Sequence, residues 1–234
     1  MEPVTESRDR YNLRKELTLM ERDIKALEET NTHTLDQSVL NQCRVRALPL
    51  TLDADDSLAP KDQTNVVKQS VSPRYYPLFK HSFTHRISMI GDCKFPNLYR
   101  ILEPEFGTLS VFHVAKASKP HIKCIMHNDL GVDDSHLLRG EVLTVIRIML
   151  GQLKQKVFVS EMVAPVLLFS LNRRHPRVIE AYFDGLELLV RRTKPYDFTF
   201  LNAAGFKTFA QWLLGNPISD TSKRTDQTYG SIMG

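Results

Sequence analysis

Hydrophobic residues recur at alternating spacings of four and three near the start of the chain. The positions between them carry charges of both signs, so the pattern predicts an amphipathic helical arm over residues 1–30. Two interpretations stay open. The stripe packs on the protein's own body, or it forms a coiled-coil seam for self-association. Its members are Leu13, Leu17, Met20, Ile24 and Leu27.

The next stretch has a different composition. Residues 31–74 contain no Phe, Trp, Tyr or Gly and are rich in small polar residues, which predicts a flexible, disordered linker. Aromatic residues return at Tyr75, where we place the start of a folded α+β domain over 75–215. The polar residues 216–234 are predicted to form a loose tail.

The predicted domain is α+β: a helix, an antiparallel sheet with a β-hairpin, and a second helix. The first helix is capped by Asp134 or Ser135 and ends near Leu153. The apolar run 163–171 is typical of a buried strand. The last helix begins near Asn202. We expect it to bury Phe206, Phe209, Ala210 and Leu213.

The hairpin is predicted from the dipeptide Asp184-Gly185, which lies between two β-rich runs. A two-residue type I′ turn requires positive φ at both positions, and this dipeptide is among its preferred sequences. The turn would fix the register of the two strands. It would place Phe183 opposite Leu186 and Arg177 opposite Arg192.

Basic residues precede and follow this hairpin, so the predicted register brings them together at one end of the sheet. Guanidinium groups gathered in this way suit phosphate or carboxylate, and the partner would be a nucleic acid or an acidic protein. The alternative is a solvated sheet end whose charges pair with acids such as Glu180 and Asp197. The candidate anion-binding residues are Arg173, Arg174, His175, Arg177, Arg192 and Lys194.

The segment HIKCIMH carries metal-type ligands at His121, Cys124 and His127, with Cys93 and His113 nearby in sequence. A spacing of three residues puts neighbours on opposite faces of a strand, so these ligands are not expected to converge. We therefore predict no metal site in this segment.

A hydrolase triad is a further possibility, because Ser170, His175 and Asp184 supply the residue types. No nucleophile-elbow pattern surrounds the serine, and the aspartate is already explained by the turn. The sequence also contains no phosphate-binding loop, Rossmann glycine pattern or kinase motif. We predict no cofactor.

Charge and apolar runs restrict the partners. The net charge of +4 does not by itself demand a polyanionic partner. The longest apolar runs are about half as long as a membrane helix requires, so no membrane partner is expected. Three cysteines lie far apart in the sequence and predict no disulfide framework. The expected location is the cytoplasm or the nucleus.

The order helix, strand, hairpin, helix over residues 135–214 resembles the core of the PD-(D/E)XK nuclease superfamily. In that family a helix Glu, an Asp entering the second strand, and an acid-x-Lys in the third strand bind Mg²⁺ and activate water. The resemblance implies Glu141 as the helix acid and Lys194 as the lysine. Glu180 and Asp184 are the other candidate carboxylates nearby.

This sequence departs from the nuclease pattern. The strand Asp position is held by Pro176 or Arg177, and the acid two residues before Lys194 is replaced by Arg192. Without those carboxylates a hard cation has no cage. The resemblance therefore implies a degenerate, inactive copy of the core.

A second resemblance rests on the segments RRHPRVIEAYFDG, RRTKPYDF and FKTFAQWLLG. They resemble a group of filamentous-fungal proteins over residues 137–215. This implies a fungal source and a shared domain, but no mechanism. The leading expectation is a non-enzymatic binding or interaction protein. The alternative is an enzyme, either a nuclease-like phosphodiesterase or an accessory small-molecule enzyme of secondary metabolism.

Overall fold

The computed structural model describes residues 6–52, 75–77, 88–90, 93–95, 106–114, 119–215, 217 and 221–222. In these residues four α-helices accompany a mixed β-sheet, which confirms the predicted α+β class. The helices are α1 (Arg8–Ala26), α2 (Gln37–Gln42), α3 (Arg139–Lys154) and α4 (Ala203–Leu214). A 3₁₀ turn at Lys156–Phe158 follows α3. In the described part of the chain no helix is long and apolar enough to cross a membrane.

Most strands belong to one seven-stranded sheet with the order β2-β11-β10-β9-β7-β6-β3. Its strands are β2 (Val45–Pro49), β3 (Tyr75–Pro77), β6 (Phe106–Val114), β7 (Ile122–Asn128), β9 (Val166–Asn172), β10 (Arg177–Phe183) and β11 (Leu188–Arg192). Two short pairs join β1 (Thr34–Leu35) to β8 (Leu137–Leu138) and β4 (Ser88–Ile90) to β5 (Cys93–Phe95). The sheet is mixed, because β7 runs parallel to β9 and β2 runs parallel to β11.

Helices cover both faces of the sheet. Helix α3 is buried on nearly all sides, because it lies between the sheet and α1. The opposite face of the sheet carries a smaller apolar cluster, in which Phe169 and Val178 pack against Trp212 of α4. The face of each strand residue therefore decides whether it meets α3 or α4.

The stripe on α1 is internal. Leu13, Leu17, Met20 and Ile24 are all buried in the main core, so the helix packs on the protein's own body. Leu27 packs against the same core from its edge. This is the first of the two interpretations of the stripe, and it leaves these residues covered rather than open to a second copy.

The linker prediction is wrong for residues 34–49, which form β1, α2 and β2. These segments bury few residues of their own. Strand β2 instead obtains its hydrogen bonds by adding in parallel to β11, and β1 pairs with β8. Residues 53–74 lie outside the described part of the chain. In the predicted loose tail, Thr221 is buried and its carbonyl accepts from the backbone N–H of Met162 at 2.9 Å.

The predicted two-residue turn of the hairpin is also wrong. Phe183 pairs with Leu188, so the connecting loop has four residues, 184–187, and the register is shifted by two. The Asp184 side chain explains the longer loop, because its Oδ1 accepts from the N–H groups of Leu186 and Glu187 at 2.7 and 2.8 Å. A shift of two keeps every side chain on its predicted face.

Both helices of the predicted domain differ in detail. Helix α3 begins at Arg139 rather than beside Asp134, because Leu137 and Leu138 first pair with β1. Helix α4 begins after Asn202 as predicted, and the Asn202 side chain accepts from the Gly205 N–H at 2.8 Å. Its burial differs from the expectation. Phe209 and Leu213 pack toward the sheet with Trp212, whereas Phe206 and Ala210 are exposed.

Candidate functional site

A buried ion pair closes one end of the sheet. Arg177 is the first residue of β10 and Glu141 lies in the first turn of α3. The Arg177 Nε donates to Glu141 Oε1 at 3.0 Å, and Nη2 donates to Oε2. The two side chains are 0% and 1% exposed, so neither is open to a ligand. The sheet end therefore contains an ion pair that carries no net charge and whose two residues hydrogen-bond to each other.

Surrounding groups complete this pair. The N–H of Leu138 donates to Glu141 Oε2 at 2.9 Å, and the Arg177 Nη1 donates to the carbonyl of His136 at 2.9 Å. Burial favours the neutral form of the Glu141 carboxyl, but the charge and hydrogen bonds of Arg177 outweigh it and hold the pKa below its usual range. Both groups are thus charged, paired and held by backbone groups.

The candidate catalytic residues do not converge. Glu141 lies in α3, which covers one face of the sheet, whereas Glu180 lies on the opposite face of β10 and pairs with Arg191 at 3.3 Å. Asp184 is in the hairpin loop, at the other end of β10. Lys194 lies near the Glu141 end, but it is exposed and its Nζ is 3.8 Å from Asp134 Oδ2. No group of three metal-type ligands occurs among the described residues.

The other sequence candidates are separated as well. Cys124 is buried on the α3 side of β7, and strand alternation puts His127 on the other face. His121 directly precedes β7, and burial lowers its pKa to about 4. Burial also raises the pKa of the Cys124 thiol to about 12, so this thiol is inert. His113 lies on β6, and the side chain of Cys93 is outside what the structure describes.

The three residues of the possible triad are also apart. Ser170 is fully buried and its hydroxyl donates to Asn172 Oδ1 at 3.0 Å. His175 lies in the turn between β9 and β10, and Asp184 lies beyond the far end of β10. This arrangement contains no nucleophile with an adjacent base.

Five of the six basic candidates are gathered at the rim around the buried pair. We call them the basic end, and they are Arg173, Arg174, His175, Arg192 and Lys194. The sixth, Arg177, is wrong as an anion-binding residue, because burial against Glu141 removes it from the surface. The observed register also places Arg192 opposite Ile179 instead of Arg177.

Most side chains of the basic end have acidic or carbonyl neighbours. Arg173 Nε is 3.1 Å from Asp129 Oδ1, and His175 Nε2 is 3.9 Å from Asp197 Oδ1. Arg192 donates to the carbonyl of Asp134 at 2.5 Å. Arg174 is exposed, and in the described part of the chain its side chain has no ion pair. The ion pairs are solvent-exposed, and such pairs are weak.

The turn that carries Arg173 and Arg174 is conformationally unusual. The His175 N–H donates to the Asn172 carbonyl at 2.8 Å, which closes a turn over residues 172–175. Arg173 within it has φ = 52°, in the left-handed region that costs a non-glycine residue about 1–2 kcal/mol. Strain of this kind concentrates at functional sites.

An aromatic surface adjoins the basic end. The Phe198 N–H donates to the Arg174 carbonyl at 2.8 Å, which fixes the 196–198 segment beside the turn. The ring of Phe198 stacks on Phe209 at a centroid distance of 5.7 Å and meets Phe206 edge-on at 4.8 Å. Tyr196 is half-buried and packs on Phe209 with a centroid distance of 5.0 Å.

Sequence reasoning anticipated Asp197 at this end but missed Asp129 and Asp134 as its acids, because these two residues are far from the hairpin along the chain. It missed the Arg177–Glu141 pair for the same reason, because the two residues are 36 positions apart. It also missed the contacts of Phe198 with the Arg174 carbonyl and with α4, because they are made between segments that the pattern does not connect. No protein-family model, curated protein or solved structure matches this chain.

Proposed function

We propose that this chain is a non-enzymatic binding protein that recognises an acidic group of a partner protein at its basic end. The observation that carries the proposal is the bidentate Arg177–Glu141 pair. It neutralises the carboxylate buried at this end of the sheet, while Arg173 and Arg174 stand on the rim above it. The end therefore offers cations to a ligand and no open carboxylate cage to a metal.

The ion pairs already present at the basic end do not prevent binding. Exposed ion pairs contribute about 0–1 kcal/mol, because water and salt screen them. A carboxylate from a partner can replace Asp129 beside Arg173 at small cost, and it meets Arg174 without displacing an acid. Arginine pairs with planar carboxylates through two parallel hydrogen bonds, which favours recognition by these two residues.

The balance of charge at this end favours an acidic protein over a nucleic acid. Arg173, Arg174, Arg192 and Lys194 are interleaved with Asp129, Asp133, Asp134 and Asp197. Four cations against four acids leave little net field to attract a polyanion. Proteins that bind duplex DNA typically neutralise about 6–10 phosphates. One or two carboxylates on a protein partner fit this surface better.

The order α3, β9, β10, β11, α4 supports the proposal that the domain is a degenerate nuclease-like core. In that reading Arg177 stands where the family has its strand Asp, and it pairs with the helix acid instead of joining it around a cation. The remaining candidate carboxylates lie on the other face or at the other end of the sheet. For this reason we propose binding rather than phosphodiester hydrolysis.

The proposal is tested by fluorescence anisotropy with a labelled peptide of glutamate and serine. Arg174→Glu should weaken binding about tenfold, because it replaces an attractive contact with a repulsive one. The matched control is Arg46→Glu, at the other end of the sheet. Arg46 pairs with Glu187 and is 58% exposed, close to the 61% of Arg173. The control should bind like the wild type.

Three results would contradict the proposal. The first is equal affinity of the Arg174→Glu variant and the wild type. The second is absence of binding by the wild type at low salt. The third is tighter binding of a single-stranded oligonucleotide than of the peptide with a steep salt dependence, which would identify a nucleic-acid surface.

A further inference from the structure

Exposed apolar residues concentrate on one short part of the chain. Eight large hydrophobic residues are exposed in the described part of the molecule, and four of them fall within residues 200–214. Two of these, Phe200 and Leu201, are 83% and 86% exposed. The four are Phe200, Leu201, Phe206 and Leu214. Clusters of this kind mark interaction surfaces more often than single exposed residues do.

Two of these residues, Phe206 and Leu214, share one side of α4. Phe206 and Leu214 are exposed together with Ala203 and Ala210, at spacings of three and four that define one helix face. Leu201 occupies the position before the N-cap and Phe206 is the fourth helical residue, and apolar residues at these two positions commonly lie on the same side of a helix start. The opposite, inner face of the helix packs on the sheet through Trp212. Helix α4 is therefore apolar on two sides.

The outer face is held rigid from below. Phe198 is fixed by its backbone hydrogen bond to the Arg174 carbonyl, and its ring contacts Phe206 and Phe209. Gly205 allows this approach, because a Cβ atom there would lie 2.8 Å from the Phe198 ring. A surface that is already ordered loses little conformational entropy when a partner binds.

Charge identifies the kind of partner. Lys207 is the one charged residue in the α4 sequence and is exposed on this face, and Arg174 lies next to Phe198 at its border. Both are cations, so an acidic partner is favoured. A second copy of the chain is disfavoured, because an antiparallel pair of α4 helices would bring two Lys207 side chains close together near the middle of the contact.

We infer that the outer face of α4 docks an amphipathic helix of a partner protein whose polar edge is acidic. The apolar side of that helix covers Phe206, Ala210 and Leu214, and its acids face Lys207 and Arg174. This is recognition between two helices, in which residues at spacings of three and four anchor the contact. The inference rests on the proposed function, since it names the partner class for the surface adjoining the basic end.

The test uses a synthetic helical peptide with leucine and alanine on one face and glutamate along the other. Leu214→Ser should weaken its binding about tenfold, because a buried leucine contact is lost. Lys207→Glu should weaken it about fivefold and should improve binding of the same peptide carrying lysine in place of glutamate. The matched control is Leu186→Ser in the hairpin loop, because Leu186 is 59% exposed and Leu214 is 54% exposed. The control should bind like the wild type.

The outcomes separate this inference from the proposed function. If Leu214→Ser binds the amphipathic peptide normally while Arg174→Glu loses the glutamate–serine peptide, the inference fails and the proposed function stands. If Leu214→Ser loses the amphipathic peptide and Arg174→Glu binds the glutamate–serine peptide normally, the proposed function fails and the docking surface on α4 stands. A wild-type dimer that Leu214→Ser dissociates in light scattering would overturn the inference. Leu214-dependent binding to anionic phospholipid vesicles, without peptide binding, would overturn it too.

Discussion

Arg177 and Glu141 form a bidentate ion pair in which the Arg177 Nε lies 3.0 Å from Glu141 Oε1 and Nη2 donates to Oε2. The two residues are 36 positions apart in the chain and join the start of β10 to the first turn of α3. Backbone groups of Leu138 and His136 complete their hydrogen bonding. The pair is therefore a tertiary link as well as the floor of the basic end.

Removing one member of this pair should be costly. Arg177→Met leaves the Glu141 carboxylate buried without its counter-charge, and we expect a loss of about 3–5 kcal/mol of unfolding free energy. The double variant Arg177→Met with Glu141→Leu should recover much of that loss, because no buried charge remains. Urea unfolding followed by circular dichroism measures both.

The control for this experiment is the partly exposed pair of Glu180 and Arg191, separated by 3.3 Å. Arg191→Met should cost clearly less than Arg177→Met, because the Arg191 and Glu180 side chains keep 25% and 14% of their surface exposed and burial already raises the pKa of the Glu180 carboxyl, so it can take up a proton when its partner is lost. Equal costs for Arg177→Met and Arg191→Met would show that the buried pair is not a tertiary link.

Helix α1 should be inseparable from the folded core. Leu17→Glu with Ile24→Glu puts two carboxylates at positions that are fully buried, so we expect the protein to unfold. Tyr11→Glu, on the exposed side of the same helix, should leave the fold intact. Circular dichroism and light scattering check this. A folded monomer formed from a wild-type dimer would instead identify the stripe as an intermolecular seam.

Local sequence patterns predicted individual helices and strands better than they predicted which strands pair with each other. The periodicity of α1, the apolar run of β9 and the start of α4 beside Asn202 were all readable, because each depends on neighbouring residues. The pairing of β2 with β11 was not readable, since a polar segment without Phe, Trp or Tyr gains its order from a distant strand edge. The late start of α3 has the same cause, because Leu137 and Leu138 pair with β1.

Relieving the strain in the turn at Arg173 should raise the stability of the protein and weaken its binding of the peptide. Arg173 has φ = 52°, so Arg173→Gly removes the strain of the left-handed conformation. Glycine also makes the unfolded chain more flexible, which offsets part of the gain in stability. We expect a gain of about 0.5–1 kcal/mol in unfolding free energy together with weaker binding of the glutamate–serine peptide. Thermal melts and anisotropy measure the two effects. Improved stability with unchanged affinity would mean that Arg173 takes no part in binding.

The attachment of α4 should depend on pH through Lys123. Its Nζ donates to the carbonyls of Trp212 and Leu213 at 2.7 and 2.8 Å, and burial lowers its pKa to about 7. In the unfolded chain the lysine pKa is about 10.4. Between about pH 7 and pH 10 the unfolded chain holds a proton that the folded chain has released, so stability should rise with pH.

The size of this rise is up to about 1.4 kcal/mol per pH unit. Trp212 is the single tryptophan of the sequence, so its fluorescence during urea unfolding reports on α4 directly. Lys123→Met should abolish the rise, whereas Lys156→Met, at an exposed position after α3, should keep it. A rise that persists unchanged in Lys123→Met would assign it to other groups.

The candidate site was partly readable from the sequence. The basic runs beside the hairpin indicated that Arg173, Arg174 and Arg192 would gather at one end of the sheet. The burial of Arg177 was not readable, because it depends on a helix 36 residues earlier in the chain. Three of the four acids that balance the surface, Asp129, Asp133 and Asp134, come from the loop after β7, which sequence proximity does not connect to the hairpin.

The most direct test of the binding claim is a two-dimensional amide NMR titration of the full chain with the glutamate–serine peptide. The account predicts that the largest shifts fall on the amides of Arg173, Arg174 and Lys194, and that Arg174→Glu removes them. The amides of the hairpin loop, at the other end of β10, should stay unchanged. Largest shifts in the hairpin loop, or identical shifts in the wild type and Arg174→Glu, would contradict recognition at the basic end.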